Sequence, residues 1–133
     1  MLLELSRVSQ ALSDPIRLRI LKLLAVQDLC VCELVYLLPA SQSRVSQNLA
    51  ILKYAGLVHD ERKGRWVFYS IDHPAVEQAL AGLRALLTEP TLEGIPDMED
   101  EASRLGSMSV DNPRGVCQTE IREIGPELTS AAQ

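Results

Sequence analysis

The chain has 133 residues, a formal net charge of -5 and a hydrophobic fraction of 47%. This length and apolar content suffice for one hydrophobic core, so we expect one domain with appendages rather than two full domains. No apolar run of about 18 residues occurs, and Glu4 stands where a signal peptide would carry positive charge. We therefore expect a cytoplasmic protein with no membrane partner.

The acidic charge is concentrated in the last third of the chain. Residues 1–88 carry ten Lys or Arg against eight Asp or Glu, whereas residues 89–133 carry three against ten. A basic patch in the first part can therefore meet a polyanion despite the negative total. We interpret residues 1–88 as the folded domain. Residues 89–133 are predicted to be an acidic, Pro- and Gly-containing tail, largely irregular, with a helical turn or two near residues 121–124.

Two helices are predicted in the first quarter of the chain. Apolar residues recur at helical spacing over residues 2–12, which indicates an amphipathic helix ending near Ser13. Asp14 followed by Pro15 is typical of a helix cap and first helical position, so a second helix should begin there and end near Val26. The basic side chains of the second helix are predicted to point outward: Arg17, Arg19 and Lys22.

Two of the three cysteines lie close together after the second helix. Residues 29–31 alternate like a short extended segment, and the apolar run that begins at Cys32 or Glu33 fits a helix stopped by Pro39. Both Cys30 and Cys32 should therefore lie at or just before a helix N-terminus. An odd number of cysteines in a reducing cytosol favours thiol chemistry over disulfides, although both could simply be small buried apolar residues.

The next helix has one apolar and one polar face. Ser41 is a suitable cap, and apolar residues at i, i+4 and i+7 predict a buried face: Val45, Leu49 and Leu52. The opposite face carries the short polar side chains Gln42, Ser43, Ser46 and Gln47. Such a helix, placed after a tight turn from the previous one, is typical of a helix-turn-helix, whose second helix enters the major groove of DNA.

A cationic hairpin and a last helix complete the domain. Residues 57–60 and 66–71 are strand-like and are joined by a predicted loop at 61–65, where Gly64 can supply the positive φ of a hairpin tip. The predicted fold class is therefore mainly α with a small β-hairpin, a winged helix-turn-helix. Asp72, His73 and Pro74 open the last helix, whose apolar stripe is too broad for so small a domain to cover. We therefore predict a homodimer joined through the first and last helices.

Five segments, in the same order, resemble the ArsR/SmtB family of metal-sensing repressors, and most of all its arsenic-responsive members. They read ALSDPIRLRIL (11–21), DLCVCEL (28–34), SRVSQNL (43–49), LKYAGLV (52–58) and GRWVFY (64–69). The resemblance covers about residues 5 to 88. It implies a homodimer that binds operator DNA without metal and releases it when the ion binds. Many members carry a His where this chain has Asn48, so no base preference is carried over.

The cysteines are the predicted inducer site. Thiolate sulfur is the soft ligand that As(III) and Sb(III) prefer, and the lone pair of these ions leaves a three-coordinate pyramid. The chain has three cysteines, so the predicted ligands are Cys30, Cys32 and Cys117, the last from either protomer. No organic cofactor is predicted.

DNA contacts are predicted on the polar helix face and on the hairpin. Base-edge contacts are expected from Gln42, Ser43, Ser46 and Gln47, and phosphate contacts from Arg44, Lys53, Arg62, Lys63 and Arg65. No catalytic triad, paired carboxylates or Gly-rich phosphate loop is evident, so an enzyme is not expected.

Three other functions remain open from the sequence. We call Cys30 and Cys32, within segment 28–34, the two-cysteine box. A cadmium or lead sensor of the family shares this box, but such sensors add N-terminal cysteines that this chain lacks before Cys30. A thiol redox switch would join Cys117 to one box cysteine in a disulfide, and a winged-helix interaction module would never touch DNA. A zinc site of the family's type is disfavoured because only Asp72 and His73 stand at the start of the last helix.

Overall fold

The structure is a computed structural model, and it describes residues 1–108 of the chain. The chain divides into two compact units, Met1–Pro90 and a second that begins at Thr91. Two sequence predictions, the third metal ligand Cys117 and the helical turn near residues 121–124, lie outside the described residues. Among the helices that are described, none has both the length and the apolar character needed to cross a membrane.

The first unit contains five helices and three short strands. In chain order they are α1 (Leu2–Ala11), α2 (Pro15–Val26), β1 (Leu29–Cys30), α3 (Val31–Leu37), α4 (Gln42–Tyr54), β2 (Val58–Lys63), β3 (Trp66–Ile71) and α5 (His73–Thr88). This is the element order of a winged helix-turn-helix, with α3 and α4 as the helical pair and β2 and β3 as the wing. The predicted fold class is confirmed.

Three of these helices, α2, α4 and α5, are capped at their N-termini by the predicted side chains. The Asp14 carboxylate accepts hydrogen bonds from the backbone N–H groups of Ile16, at 2.8 Å, and Arg17, at 3.4 Å. The Ser41 hydroxyl accepts from the N–H of Arg44 at 3.2 Å, and the Asp72 carboxylate caps α5 in the same way. Each cap satisfies N–H groups that have no partner inside the helix, an effect of about 1 kcal/mol.

The hydrophobic core lies beneath α4. Val45, Leu49 and Leu52 are completely buried, as their spacing predicts, and they pack with apolar side chains of α2 and α3. Gly56 follows α4 with a φ of 78°, a left-handed conformation that glycine adopts without steric cost. The chain therefore leaves the helix directly toward the sheet, and the buried face of α4 holds its polar face outward.

The sheet differs from the predicted two-stranded hairpin in two respects. It has three antiparallel strands in the order β1-β3-β2, because Leu29 and Cys30 of β1 pair with Tyr69 and Phe68 of β3. In addition, β2 continues to Lys63, so the loop predicted over residues 61–65 is wrong. The turn contains only Gly64 and Arg65 between the paired residues Lys63 and Trp66.

The error has a physical cause in the solvent exposure of β2. Every residue of this strand after Val58 is exposed, so both of its faces meet water. A strand with two polar faces shows no alternation of apolar and polar residues, and that alternation is the signal by which a strand is recognised. Gly64 has a φ of 64°, as expected for the first central residue of a tight hairpin turn.

Helix α5 packs against α1 but leaves most of its own surface uncovered. None of its 16 residues is buried, and Leu80 and Leu87 are 50% and 78% exposed. Gly82 faces Leu5 of α1 so closely that an added Cβ would lie 3.2 Å from a leucine methyl carbon. Glycine at this position therefore allows the close approach of the two helices, while an apolar stripe of α5 remains open.

The second unit contains a helix, α6 (Glu99–Gly106), within the predicted irregular tail. The prediction is wrong for this segment. Its first turn holds Glu99, Asp100 and Glu101, and Arg104 stands in its last turn. Negative charge near the N-terminus and positive charge near the C-terminus both favour a helix through the aligned peptide dipoles. The same acidic residues were interpreted in the sequence as a sign of irregular structure.

Candidate functional site

The polar face of α4 is exposed, as predicted. Gln42, Ser43, Ser46 and Gln47 all lie at the surface, and so does Arg44. These residues occupy the face opposite the buried side chains, so they present short donors and acceptors on one side of the second helix of the helical pair. Their contact with base edges stays a prediction.

Asn48 on the same helix points into the protein. Its side chain is 6% exposed, and it is the one buried polar residue among residues 1–108. Its Nδ2 group donates to the backbone carbonyl of Arg44 at 2.9 Å, and its Oδ1 accepts from Nη1 of Arg17 at 2.9 Å. Asn48 therefore holds α4 in place from within, and the sequence pattern of the helix did not reveal this role.

Arg17 is half-buried, although it was predicted to point outward with Arg19 and Lys22. Those two side chains are exposed, but Arg17 Nε donates to the carbonyl of Ala11 at 2.8 Å and Nη2 to that of Gln10 at 3.0 Å. The prediction fails here because the guanidinium turns back onto the last carbonyls of α1. Arg17 therefore links α1, α2 and α4.

Lys53, predicted as a phosphate contact, is paired within the protein. Its Nζ lies 3.0 Å from Oδ1 of Asp60 on β2, and about half of the lysine side chain is exposed. An exposed ion pair is worth little in free energy, so a phosphate can compete for the lysine. The pair nevertheless connects the end of α4 to β2, the first strand of the wing.

The cationic side chains of the wing lie against the wing itself. Arg62 Nε donates to the carbonyl of Gly64 at 3.1 Å, the Lys63 ammonium lies 5.8 Å from the centre of the Phe68 ring, and the Arg65 guanidinium lies 5.5 Å from that of Trp66. These contacts limit the freedom of three long side chains at one end of the sheet. The three side chains therefore form a cationic hairpin tip whose charges are held near the wing.

Cys30 and Cys32 lie on either side of Val31, the first residue of α3. Cys30 is the residue before the helix and is 7% exposed, whereas Cys32 is the second helical residue and is exposed; both are free thiols. The helix begins at Val31, earlier than the predicted Cys32 or Glu33. The thiolate is the form of cysteine that binds soft metal ions.

Glu33 secures the beginning of α3. Its carboxylate accepts a hydrogen bond from the backbone N–H of Cys30 at 3.1 Å. This hydrogen bond, together with one from the Cys30 side chain, lowers the pKa of Glu33 below the ordinary value for a glutamate. The charged carboxylate therefore holds the backbone at Cys30 in the geometry that begins the helix.

Two thiols do not by themselves complete a three-coordinate site. Within residues 1–108, no group of three or more His, Cys, Asp and Glu side chains could hold a metal ion. Cys32 lines a shallow cleft of about 380 Å³ with Leu29, Tyr36 and Leu37 among its walls, and none of these supplies a further sulfur. Residues 1–108 of one chain hold no third cysteine, and Cys117 as the third ligand stays a prediction.

The sequence and fold match known regulators. Residues 14–60 match the family model described as bacterial regulatory protein, arsR family. An arsenic resistance transcriptional regulator of Pseudomonas putida is 39% identical over 95 residues, which are 71% of this chain and 67% of that protein. The chain belongs to the ArsR family. Its fold and relatives are those of DNA-binding transcriptional regulators rather than enzymes, which confirms that part of the sequence interpretation.

Two further regulators are similar to this chain. A homologue of the transcriptional repressor SmtB from Synechocystis is 44% identical over 51% of this chain and 52% of its own length. The homodimeric winged helix-turn-helix DNA-binding domain of a possible ArsR-family regulator from Mycobacterium bovis is 32% identical, with a TM-score of 0.55 over 64% of this chain and 79% of that one. The chain therefore spans about half to two thirds of the length of the first curated relatives.

The Glu33 contact predicts a local pH dependence. Because its pKa is lower in the folded chain than in an unfolded one, the ionised carboxylate stabilises the start of α3 above the ordinary pKa, and this stabilisation is lost as pH falls through the lowered folded-state pKa. We expect the amide proton resonance of Cys30 to titrate in this acidic range in NMR spectra. Glu33→Gln should abolish the titration and Glu4→Gln should leave it intact. A titration that persists in Glu33→Gln would contradict the assignment.

Proposed function

We propose that this ArsR-family protein is a homodimeric repressor that binds operator DNA through α4 and the wing and is released by As(III) or Sb(III). The observation that carries the proposal is the pair of thiols at the start of α3. One of them, Cys30, belongs to β1, which pairs with strand β3 of the wing. The arsenic resistance regulator of P. putida supports the choice of ion. The predicted ligands are Cys30, Cys32 and Cys117.

The position of Cys30 connects the proposed metal site to the elements proposed to contact DNA. Its backbone pairs with Phe68 on β3, and β3 pairs along its whole length with β2. Cys30 is buried and Cys32 is exposed, and the proposal is that binding one ion through both sulfurs moves the backbone between them. Such an adjustment shifts both the start of α3, which packs beside α4, and the anchoring of the wing. Metal binding would thereby weaken both DNA-contacting elements.

Cys117 is proposed as the third ligand because arsenic(III) takes three sulfurs and the chain has three. Residues 89–116 separate it from the end of α5. Closing a fully flexible loop of about 28 residues costs on the order of 3 kcal/mol. This segment contains α6, and metal–sulfur bonds can offset a cost of this order. The thiol can come from the same protomer or from its partner.

The homodimer is proposed from the uncovered stripe of α5. Leu80 and Leu87 lie seven residues apart on one side of α5 and are half or more exposed, and exposed apolar side chains grouped on one surface mark a contact with another protein surface. Two copies related by a two-fold axis would bury this stripe on both chains and present two copies of α4 to successive major grooves. The homodimeric M. bovis domain supports this arrangement.

The proposal is tested by operator release. A duplex enriched from a random pool by the wild-type protein is labelled, and its anisotropy is followed while arsenite, antimonite, Cd(II) or Pb(II) is added. We expect release by arsenite and antimonite. Release by Cd(II) or Pb(II) alone would favour the alternative sensor, and enrichment of no duplex would favour an interaction module that does not bind DNA.

The ligand set is tested by X-ray absorption on the arsenite complex. We expect three sulfur neighbours for each arsenic in the wild-type protein and two in Cys117→Ser. An unchanged sulfur number in Cys117→Ser would exclude this cysteine from the site.

The wing predicts a salt dependence of DNA binding. Each phosphate that a cation neutralises contributes about -0.9 to the slope of log affinity against log salt concentration. We expect Arg65→Ala to reduce the magnitude of this slope by about one contact. Arg19→Ala, which removes an exposed arginine from α2, is the matched control. Equal slopes for wild type and Arg65→Ala would remove the wing tip from the interface.

A further inference from the structure

A single guanidinium connects three helices of the domain. Arg17 stands near the start of α2 and donates to the carbonyls of Gln10 and Ala11 at the end of α1, as well as to Oδ1 of Asn48 in the middle of α4. The donor distances are 3.0, 2.8 and 2.9 Å. Because the guanidinium is planar and its donors are fixed in direction, three such bonds determine the relative placement of their acceptors.

Two carbonyls at the end of α1 accept hydrogen bonds from Arg17, and that of Gln10 also accepts from the N–H of Ser13 at 3.2 Å and from its hydroxyl at 2.7 Å. The last carbonyls of a helix have no partner within it, and the last turn of α1 contains no basic residue of its own. Arg17 supplies both hydrogen bonds and a positive charge at the negative end of the helix dipole. The end of α1 is therefore attached to α2 through a side chain rather than only through the short connection of residues 12–14.

Asn48 provides the corresponding attachment on α4. It interrupts a buried face whose other members, Val45, Leu49 and Leu52, are apolar and completely buried. A buried amide is costly unless it is hydrogen-bonded, and here both of its polar atoms are satisfied, by Arg17 and by the carbonyl of Arg44. A rotation of α4 about its axis would break the bond to Arg17 and leave a buried amide oxygen without its partner.

The residues that face solvent lie on the same turns of α4. Asn48 directly follows Gln47 in the chain and binds the carbonyl of Arg44, which neighbours Ser43. The bond to Arg17 therefore fixes the rotation at which these polar side chains are presented. A change in rotation alters which base edges they can reach, whereas the distribution of positive charge on the surface changes little.

We call these two side chains and their hydrogen bonds the Arg17–Asn48 bracket. We propose that the bracket positions α4 and thereby determines the ratio of the affinities for operator DNA and random DNA. The inference rests on the proposed operator binding. Arg17 and Asn48 act as positioning residues because they hold α4 from its buried side. Since α1 belongs to the proposed dimer surface, the same bracket relates the orientation of α4 to the dimer axis.

The test compares Arg17→Lys with Arg19→Lys. Both variants keep the charge, but lysine cannot bridge three acceptors in fixed directions, and Arg19 is exposed on the same helix. Affinity is measured by anisotropy for the duplex enriched by the wild-type protein and for a random duplex, over a series of salt concentrations. We expect Arg17→Lys to lower the ratio of the two affinities about tenfold, a loss comparable to one wrong base pair. The random-duplex affinity and the salt slope should stay as in wild type, and Arg19→Lys should change none of these quantities.

Two Asn48 variants provide a second measurement, which also serves if Arg17→Lys fails to fold. Asn48→Asp keeps an oxygen acceptor for Arg17 and should retain more of the operator preference than Asn48→Leu, which keeps the volume but no acceptor. A reduced salt slope in Arg17→Lys would make Arg17 a phosphate contact and overturn the inference, as would an unchanged affinity ratio. Enrichment of no duplex by the wild-type protein would instead overturn the proposed function and this inference with it.

Discussion

Replacing Cys32 with serine is expected to abolish the release of operator DNA by arsenite while leaving DNA affinity itself almost unchanged. Cys32 is exposed at the second position of α3, so the substitution removes no buried contact. Surface substitutions of this kind change stability by less than about 0.5 kcal/mol. A serine hydroxyl is a hard, neutral oxygen and cannot replace a thiolate as ligand for a soft ion. The measurement is anisotropy of the labelled operator during an arsenite titration.

Cys30→Ser should give the same loss of response from a different structural position. Cys30 is buried and precedes α3, where serine is a preferred capping residue, so the helix should start as it does in the wild type. Leu37→Ala, at the far end of α3, is the control for a substitution in this helix that removes no sulfur. Arsenite release that survives in both Cys30→Ser and Cys32→Ser would exclude the thiol site.

Disulfide detection in the wild-type protein separates metal sensing from redox sensing. A redox switch would require a disulfide between Cys117 and one box cysteine, which mass spectrometry after mild peroxide treatment would detect. We expect arsenite to bind a protein in which no such disulfide has formed. A peroxide-dependent disulfide that releases the operator, in a protein insensitive to arsenite, would replace the metal proposal with the redox one.

The features that the sequence predicted correctly depend on neighbouring residues. The caps Asp14, Ser41 and Asp72 bind N–H groups two or three residues away, so the signal and the structure lie in the same short segment. The buried face of α4 follows from helical periodicity in the same way. These local patterns sufficed for the order of the elements and for the winged helix-turn-helix class.

The features that the sequence did not predict depend on distant partners. Arg17 and Asn48 are 31 positions apart in the chain, and neither residue carries a local sign of the bond between them. An arginine in an amphipathic helix normally faces solvent, and an asparagine normally avoids the core. Likewise, the pairing of Cys30 with Phe68 requires the wing to return to β1, which no short pattern specifies.

The candidate site was predictable to the extent that it is local. The placement of Cys30 and Cys32 at the start of a helix follows from the chain around them, and the structure agrees. Their different burial does not follow from that pattern, because burial depends on how distant parts of the chain pack. The difference matters for the proposed function, in which both sulfurs bind one ion and the backbone between them moves.

Replacing Leu80 with glutamate is expected to separate the proposed dimer. Leu80 is 50% exposed on the uncovered stripe of α5. Fully burying an exposed leucine side chain contributes roughly 1.5–3 kcal/mol, and about half of the Leu80 side chain is left to bury, so each copy contributes about 0.75–1.5 kcal/mol. A symmetric interface contains the residue twice, so the loss is about 1.5–3 kcal/mol, an increase of at least about tenfold in the dissociation constant of the dimer. Sedimentation equilibrium of the wild-type and variant proteins measures this change.

Leu18→Glu on α2 is the matched control, since Leu18 is 49% exposed and lies outside the helices of the proposed interface. It introduces the same charge at the same degree of exposure and should leave the dimer intact. Operator affinity should fall with Leu80→Glu, because a monomer places one copy of α4 on the operator whereas the dimer places two. The folded domain should persist, since α5 contributes no fully buried residue to the core. A Leu80→Glu protein that remains dimeric at the wild-type dissociation constant would place the dimer contact on another surface.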